Sequence, residues 1–167
     1  MKNYQEWYRN ISSKLTSRPI LLFLLLSFNR LMTVAMPLIY LTLLVSTYLQ
    51  LGLGKQVVVY LLVPASGFVM LSLFRKKINH PRPYETWDIR PLLDKDSSGK
   101  SMPSRHVFSA TIISMACFHA WTLIGAILLF CSEILALVRV LGGVHYPKDV
   151  LVGYACGLMW GILFFLF

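Results

Sequence analysis

The sequence predicts an all-α integral membrane protein, a helical bundle of about five transmembrane helices with an N-terminal interfacial amphipathic helix. Two observations carry this. Of 167 residues 56% are hydrophobic and mean hydropathy is +0.63, with the apolar residues gathered into long runs. Four windows, 31–49, 56–74, 106–140 and 150–167, approach or exceed the ~20 apolar residues that a helix needs to cross a bilayer. The third is too long for one untilted helix and reads as two, turning near 119–122. Five spans leave no room for a separate soluble domain, so 1–167 is expected to be a single membrane-embedded domain.

Taken in order, Tyr4, Trp7, Tyr8, Ile11 and Leu15 recur at helical spacing, with Gln5, Glu6, Asn10, Ser13 and Lys14 mostly on the other side. Residues 1–18 therefore predict a helix lying in the interface, its aromatic side chains at headgroup depth. No cleavable signal peptide is expected, because no small-residue cleavage site follows the first apolar run. Residues 19–29 are apolar but few, and Arg30 follows, so a bent or tilted approach to the first span is expected. Pro37 and Pro64 fall inside spans, where neighbouring helices can satisfy the carbonyls they free. Residues 79–102 form the one long polar stretch and join two candidate site elements. Loops of that length in compact proteins are usually functional or disordered, and a lid or substrate-facing loop is expected. Gly153, Gly157 and Gly161 recur every four residues, a flat stripe that favours close helix packing inside the bundle over dimerisation. Glu133 is the one acidic residue inside a predicted span and is expected to pair with a basic group.

Cys117, Cys131 and Cys156 lie in apolar windows without metal-ligand spacing, and are expected to be free thiols. Net charge is +9, but the cations cluster beside apolar runs and no nucleic-acid motif accompanies them. Membrane lipids or a phosphorylated substrate are the partners that this pattern implies, and nucleic acid is excluded.

The chemistry concentrates in three polar elements that abut the spans. The first holds Arg75, Lys76, Lys77 and Arg82-Pro83, the second is Pro103-Ser104-Arg105-His106, and the third runs from Arg139 to His145 and Asp149. His106 and His145 each stand at the start of an apolar helix near an arginine, where free N–H groups favour anions, and Ser104 adds a hydroxyl. His80 and His119 read as structural. His145 and Asp149 are one helical turn apart, and Pro147 suits a first-turn position. A carboxylate there either caps the helix or holds one ring nitrogen, leaving the other free to attack. Arg82 and Arg139 offer planar forks suited to a tetrahedral oxyanion.

These elements resemble, in order, spacing and placement at helix ends, the signature of the type 2 phosphatidic acid phosphatase superfamily, which includes membrane lipid phosphatases and undecaprenyl-diphosphate phosphatases. The motifs span 75–149. The resemblance implies a metal-independent phosphatase without cofactors. His145 would be the nucleophile that becomes a phosphohistidine, Asp149 would orient it, and His106 would protonate the leaving oxygen and then activate water. Arg82, Ser104 and Arg139 would hold the phosphoryl oxygens, helped by the backbone N–H of Arg105. Three positions depart from the usual pattern. Arg75, with Lys76 beside it, stands where the family usually has Lys, Arg105 where Gly is common, and Val138 where Ser is common. No catalytic group is lost, so activity is expected.

The implied substrate is a lipid phosphate, either undecaprenyl diphosphate or a glycerophospholipid phosphate. The alternatives are a lipid phosphotransferase and a non-catalytic lipid-binding membrane protein. The excess cations Arg75, Lys76, Lys77 and Arg105 favour a diphosphate headgroup. The expected location is the bacterial plasma membrane, multi-pass. All cations but Lys55 fall toward the site side, which by the positive-inside rule would be cytoplasmic. Bacterial members of the family usually work at the outer face, and the extracytoplasmic face is the expectation adopted.

Overall fold

The computed structural model describes residues 4–95 and 98–167, among which there are helices and no strand. Seven helices follow in order: α1 (Tyr4–Thr16), α2 (Pro19–Leu51), α3 (Lys55–Ile78), α4 (Pro83–Thr86), α5 (Arg105–Ala120), α6 (Thr122–Leu141) and α7 (Pro147–Gly161). A 3-10 turn, Ile162–Phe165, continues α7. The chain is a multi-pass helical membrane protein. Helices α2, α3, α6, and α7 with its 3-10 turn are long and apolar enough to cross a bilayer.

Helix α5, 16 residues rising ~24 Å at 1.5 Å each, runs from the polar-loop end of the bundle to the turn before α6. It is the enclosed centre of the bundle: residues 110–117 are all buried, and α2, α3, α6 and α7 pack around it. The break expected near 119–122 falls at Trp121.

Helix α2 is one continuous helix of 33 residues, so the approach segment and the first span are a single element. Nothing between Ile20 and Met36 breaks it, since that stretch has neither Gly nor Pro. It buries only the stripe Leu25, Met32, Met36, Leu43 and Thr47 and leaves the remaining apolar side chains facing outward. An outward apolar surface is stable where lipid replaces water.

The glycine stripe of α7 faces α5. A Cβ on Gly153 would lie 2.7 Å from the Ser104 carbonyl oxygen, and one on Gly157 or Gly161 would lie 2.6 Å or 2.5 Å from the Cβ of Thr111 or Met115. The stripe thus serves packing within the bundle, and it brings the start of α7 against the start of α5. Ser104 N–H donates to the Asp149 carbonyl at 2.9 Å, locking the two helix starts together. Glu133 accepts a hydrogen bond from the Tyr154 hydroxyl at 2.9 Å, so its partner is a phenol of α7 and not the basic group expected. Cys117, Cys131 and Cys156 are free.

The aromatic face of α1 is split. Tyr4 and Tyr8 are fully buried against protein loops, whereas Trp7, Ile11 and Leu15 remain partly open. Tyr8 packs on Gly143 and accepts from the Leu92 N–H at 3.2 Å. The Tyr4 ring lies tilted against that of Tyr146, with ring centroids 5.1 Å apart. Arg9 pairs with Asp88 at 3.1 Å. Helix α1 therefore straps both polar loops from outside. Residues 96–97, within the 79–102 loop, lie outside the described residues. Much of the rest is tied down: Leu92 N–H donates to the Gly142 carbonyl and Ser101 N–H to that of His80. Lys55 is the only described cation at the end of the bundle remote from these loops.

Candidate active site

Three chain segments converge where α5 and α7 begin and α6 ends. His145 lies in the short α6–α7 loop and is 1% exposed, and Asp149, on the first turn of α7, is fully buried. Their closest atoms, His145 Nδ1 and Asp149 Oδ2, are 3.6 Å apart, an ion-pair spacing longer than a hydrogen bond. The connection runs through Ser101. Its hydroxyl donates to Asp149 Oδ2 and stands 3.3 Å from His145 Nδ1. A hydroxyl whose proton is given to a carboxylate can only accept from its other neighbour. Nδ1 therefore carries the ring hydrogen, and the lone pair is on Nε2. Asp149 Oδ2 also accepts from the Tyr146 N–H at 3.0 Å, so one carboxylate caps α7 and anchors the histidine.

Around the imidazole stand buried cations. Arg82 donates to the Val144 and Gly99 carbonyls, each at 3.3 Å. Glu85 fixes its backbone, accepting from the Arg82 N–H at 2.7 Å. Arg139, near the end of α6, donates to Asn29 Oδ1 of α2 at 3.4 Å. Burial pushes the His145 imidazole down to about 4; Asp149 opposes that, and the Arg139 and Arg82 charges add to it. The ring is neutral at physiological pH. Arg75, buried in the last turn of α3, donates to the Pro103 carbonyl and, at 3.4 Å, to that of Ser101. The Ser104 hydroxyl is buried at the start of α5 with no hydrogen-bond partner among the described residues.

His106 is half-buried on the first turn of α5 and opens into two spaces. One is a polar chamber of about 550 Å³ that it shares with Arg139, Asn29, Arg30 and Asp94. The other is an apolar cavity of about 200 Å³ lined by Met32, Met36, Phe68, Ile113 and Leu135 among others. Of the sequence candidates, His106, His145, Asp149, Arg75, Arg82, Ser104 and Arg139 are gathered here. Lys76 is exposed on α3, and the Arg105 side chain is exposed, its guanidinium 5.7 Å from the Phe68 ring centre. Among the described residues no three His, Cys, Asp or Glu side chains cluster as a metal site.

Ser101, Asn29 and Glu85 contact these candidate residues and were missed by sequence reasoning. Ser101 lies 44 and 48 positions from its partners, with no local pattern to expose it. Asn29 did carry a signal, an amide in the middle of an apolar run.

The sequence matches the family model described as the PAP2 superfamily over residues 53–167. The chain belongs to the PAP2 superfamily. That match takes in all three polar elements and the helices α3 and α5–α7 that position them. No curated protein matches the sequence significantly. Among solved structures, this PAP2 chain is similar to LpxE of Aquifex aeolicus, with a TM-score of 0.75 and 24% identity, covering 98% of this chain and 94% of that one. It is also similar to a PAP2-type phosphatidylglycerolphosphate phosphatase of Bacillus subtilis, with a TM-score of 0.73 and 21% identity over 98% of this chain and 85% of that one. At these identities the likeness is one of fold. It extends over α1 and α2, which precede the residues matched by the PAP2 family model.

Proposed function

We propose that this PAP2 protein is a lipid phosphatase of the bacterial plasma membrane, one domain over 1–167, acting through a phosphohistidine on His145. The observation that carries the reading is the neutral, buried imidazole, its Nδ1 tied through Ser101 to Asp149 and its Nε2 left with a lone pair. Attack by Nε2 on phosphorus releases the lipid oxygen, which takes a proton from His106; His106 then draws a proton from water that cleaves the P–N bond. Arg82, Arg139 and Arg75 supply positive charge for the equatorial oxygens, and the unpartnered Ser104 hydroxyl and the Arg105 N–H complete the cradle. Lys76 and the Arg105 guanidinium lie further out and act on anionic headgroups around the site.

The apolar cavity beside His106 supports a lipid over a soluble ester, since it offers a path for a tail next to the scissile bond. Catalysis needs no metal in this scheme, because arginines and helix ends carry the transition-state charge. The resemblance to bacterial members favours the extracytoplasmic face.

The test is phosphate release by purified protein from long-chain lipid phosphates, with His145→Ala alongside. Wild type is expected to release inorganic phosphate in excess chelator and to form an acid-labile phosphoenzyme, and His145→Ala to do neither while staying folded. Phosphate release by His145→Ala at the wild-type rate overturns the nucleophile. Better specificity constants for soluble esters than for lipids overturn the substrate class.

A further inference from the structure

Tyr4 stands on α1, ahead of the residues that the PAP2 family model matches, yet it packs against the loop that carries His145. It is 1% exposed, and the rings of Trp7, Trp87 and Tyr146 surround its own. Its hydroxyl is buried with no hydrogen-bond partner among the described residues. Phenylalanine would fill the same space without the cost of an unpaired buried oxygen. Tyr8, one turn further along α1, differs, because its hydroxyl accepts from the Leu92 N–H.

The same seam holds a second atom of this kind. Asp149 gives Oδ2 to the Ser101 hydroxyl and to the Tyr146 N–H, while Oδ1 is buried and has no partner among the described residues. Tyr146 joins the two residues, its ring against Tyr4 and its N–H on Asp149. Burial raises the Tyr4 pKa, and Tyr146, Tyr8 and Asp149 raise it further. The phenol is therefore protonated at physiological pH and has one hydrogen to give, and Oδ1 can only accept. A buried donor and a buried acceptor that do not meet directly are the setting in which proteins hold an internal water.

We propose that Tyr4 is a positioning residue for the reaction: its hydroxyl donates through one bound water to Asp149 Oδ1 and steadies the carboxylate against His145. This rests on the phosphatase reading above. Ser101 and the Tyr146 N–H hold one carboxylate oxygen. Tyr4 holds the other, so the carboxylate cannot turn about its Cβ–Cγ bond, and Nε2 of His145 stays aimed at phosphorus. Helix α1 thereby belongs to the catalytic apparatus as well as to the packing around it.

The experiment measures kcat and KM for wild type, Tyr4→Phe, Asp149→Asn, the double variant and Tyr48→Phe. The probes are dioleoyl phosphatidate and a polyprenyl diphosphate in neutral detergent micelles, with radiolabelled phosphate so that slow variants stay measurable. Tyr4→Phe keeps the ring and its packing, which thermal unfolding checks. Its kcat is expected to fall about threefold to tenfold with KM unchanged, the worth of one hydrogen bond. In the Asp149→Asn background the same change is expected to cost less than about twofold, because the carboxylate that it steadies is gone. Tyr48→Phe, an exposed phenol near the far end of α2, is expected to leave both constants unchanged.

A wild-type kcat in Tyr4→Phe overturns the proposal. So does a rise in KM alone, which would make Tyr4 a substrate contact. An equal fall in the Asp149→Asn background overturns it too, since Tyr4 would then act by a route that bypasses Asp149. A wild type that releases phosphate from neither probe overturns the phosphatase reading itself, and this proposal with it.

Discussion

Ser101 is the residue on which the orientation of His145 turns. Its hydroxyl fixes the tautomer through two contacts, and Ser101→Ala removes both without touching the attacking nitrogen. We expect kcat to fall about tenfold or more with little change in KM, the worth of a charge-assisted hydrogen bond. Steady-state kinetics on one lipid substrate checks this. Asp149→Asn should cost more, because it removes the charge as well as an acceptor for the hydroxyl. The pH dependence follows from the depressed imidazole. An unfolded histidine takes its proton near 6.5 and the folded one only near 4, so within that window the unfolded chain binds more protons. This group's contribution to stability is complete above 6.5 and is lost as pH falls toward 4. The acid limb of kcat/KM should likewise lie below the ordinary histidine range. Arg82→Gln removes a charge that holds the pKa down, and should shift that limb to higher pH. At this scale the sequence was legible where partners are near in the chain: His145 and Asp149 are one turn apart. Ser101 and Asn29 were not legible, because only the folded bundle brings them to their partners.

Among the elements, the contact of α5 with α7 decides where Ser104 sits. Gly153→Ala would place a methyl 2.7 Å from the Ser104 carbonyl, which is backbone and cannot rotate away. We expect a loss of about 1–3 kcal/mol, as for overpacking in general, together with a fall in kcat as the start of α5 shifts. Gly157→Ala meets the Thr111 side chain, further along the helices, and should affect stability more than turnover. Thermal unfolding and kinetics on both variants separate the two effects. Gly143→Ala combines a clash against Tyr8 with a φ of +77°, a conformation that costs a non-glycine residue about 1–2 kcal/mol. Tyr8→Ala opens the same contact from the other side and should cost about 3–5 kcal/mol. It should loosen the α6–α7 loop, which hydrogen exchange would report. Helical periodicity revealed that α1 has an aromatic face. It could not reveal that Tyr4 and Tyr8 on that face would meet loops of the same chain, because an apolar stripe specifies burial and not the surface that covers it. The same holds for Glu133, whose partner Tyr154 belongs to another helix.

For the molecule as a whole, hydropathy was enough to find the long helices and their order, and the motifs named residues that the fold gathers at one end of the bundle. Hydropathy could not tell that α5 is enclosed by the other helices while they face outward, because a buried helix is as apolar as one facing lipid. The charges repeat at this scale what Arg82 and Arg139 do locally. Among the described residues only Lys55 stands at the remote end, so the cations form a field around the mouth of the site. Such a field acts on a substrate before contact, drawing anionic headgroups through the plane of the membrane. Its reach is the Debye length, about 10 Å at 0.1 M salt and 3 Å at 1 M. Capture and chemistry should therefore part company as salt is raised. The rate at low substrate should fall, while turnover at saturation, set inside a cradle closed to mobile ions, should hold.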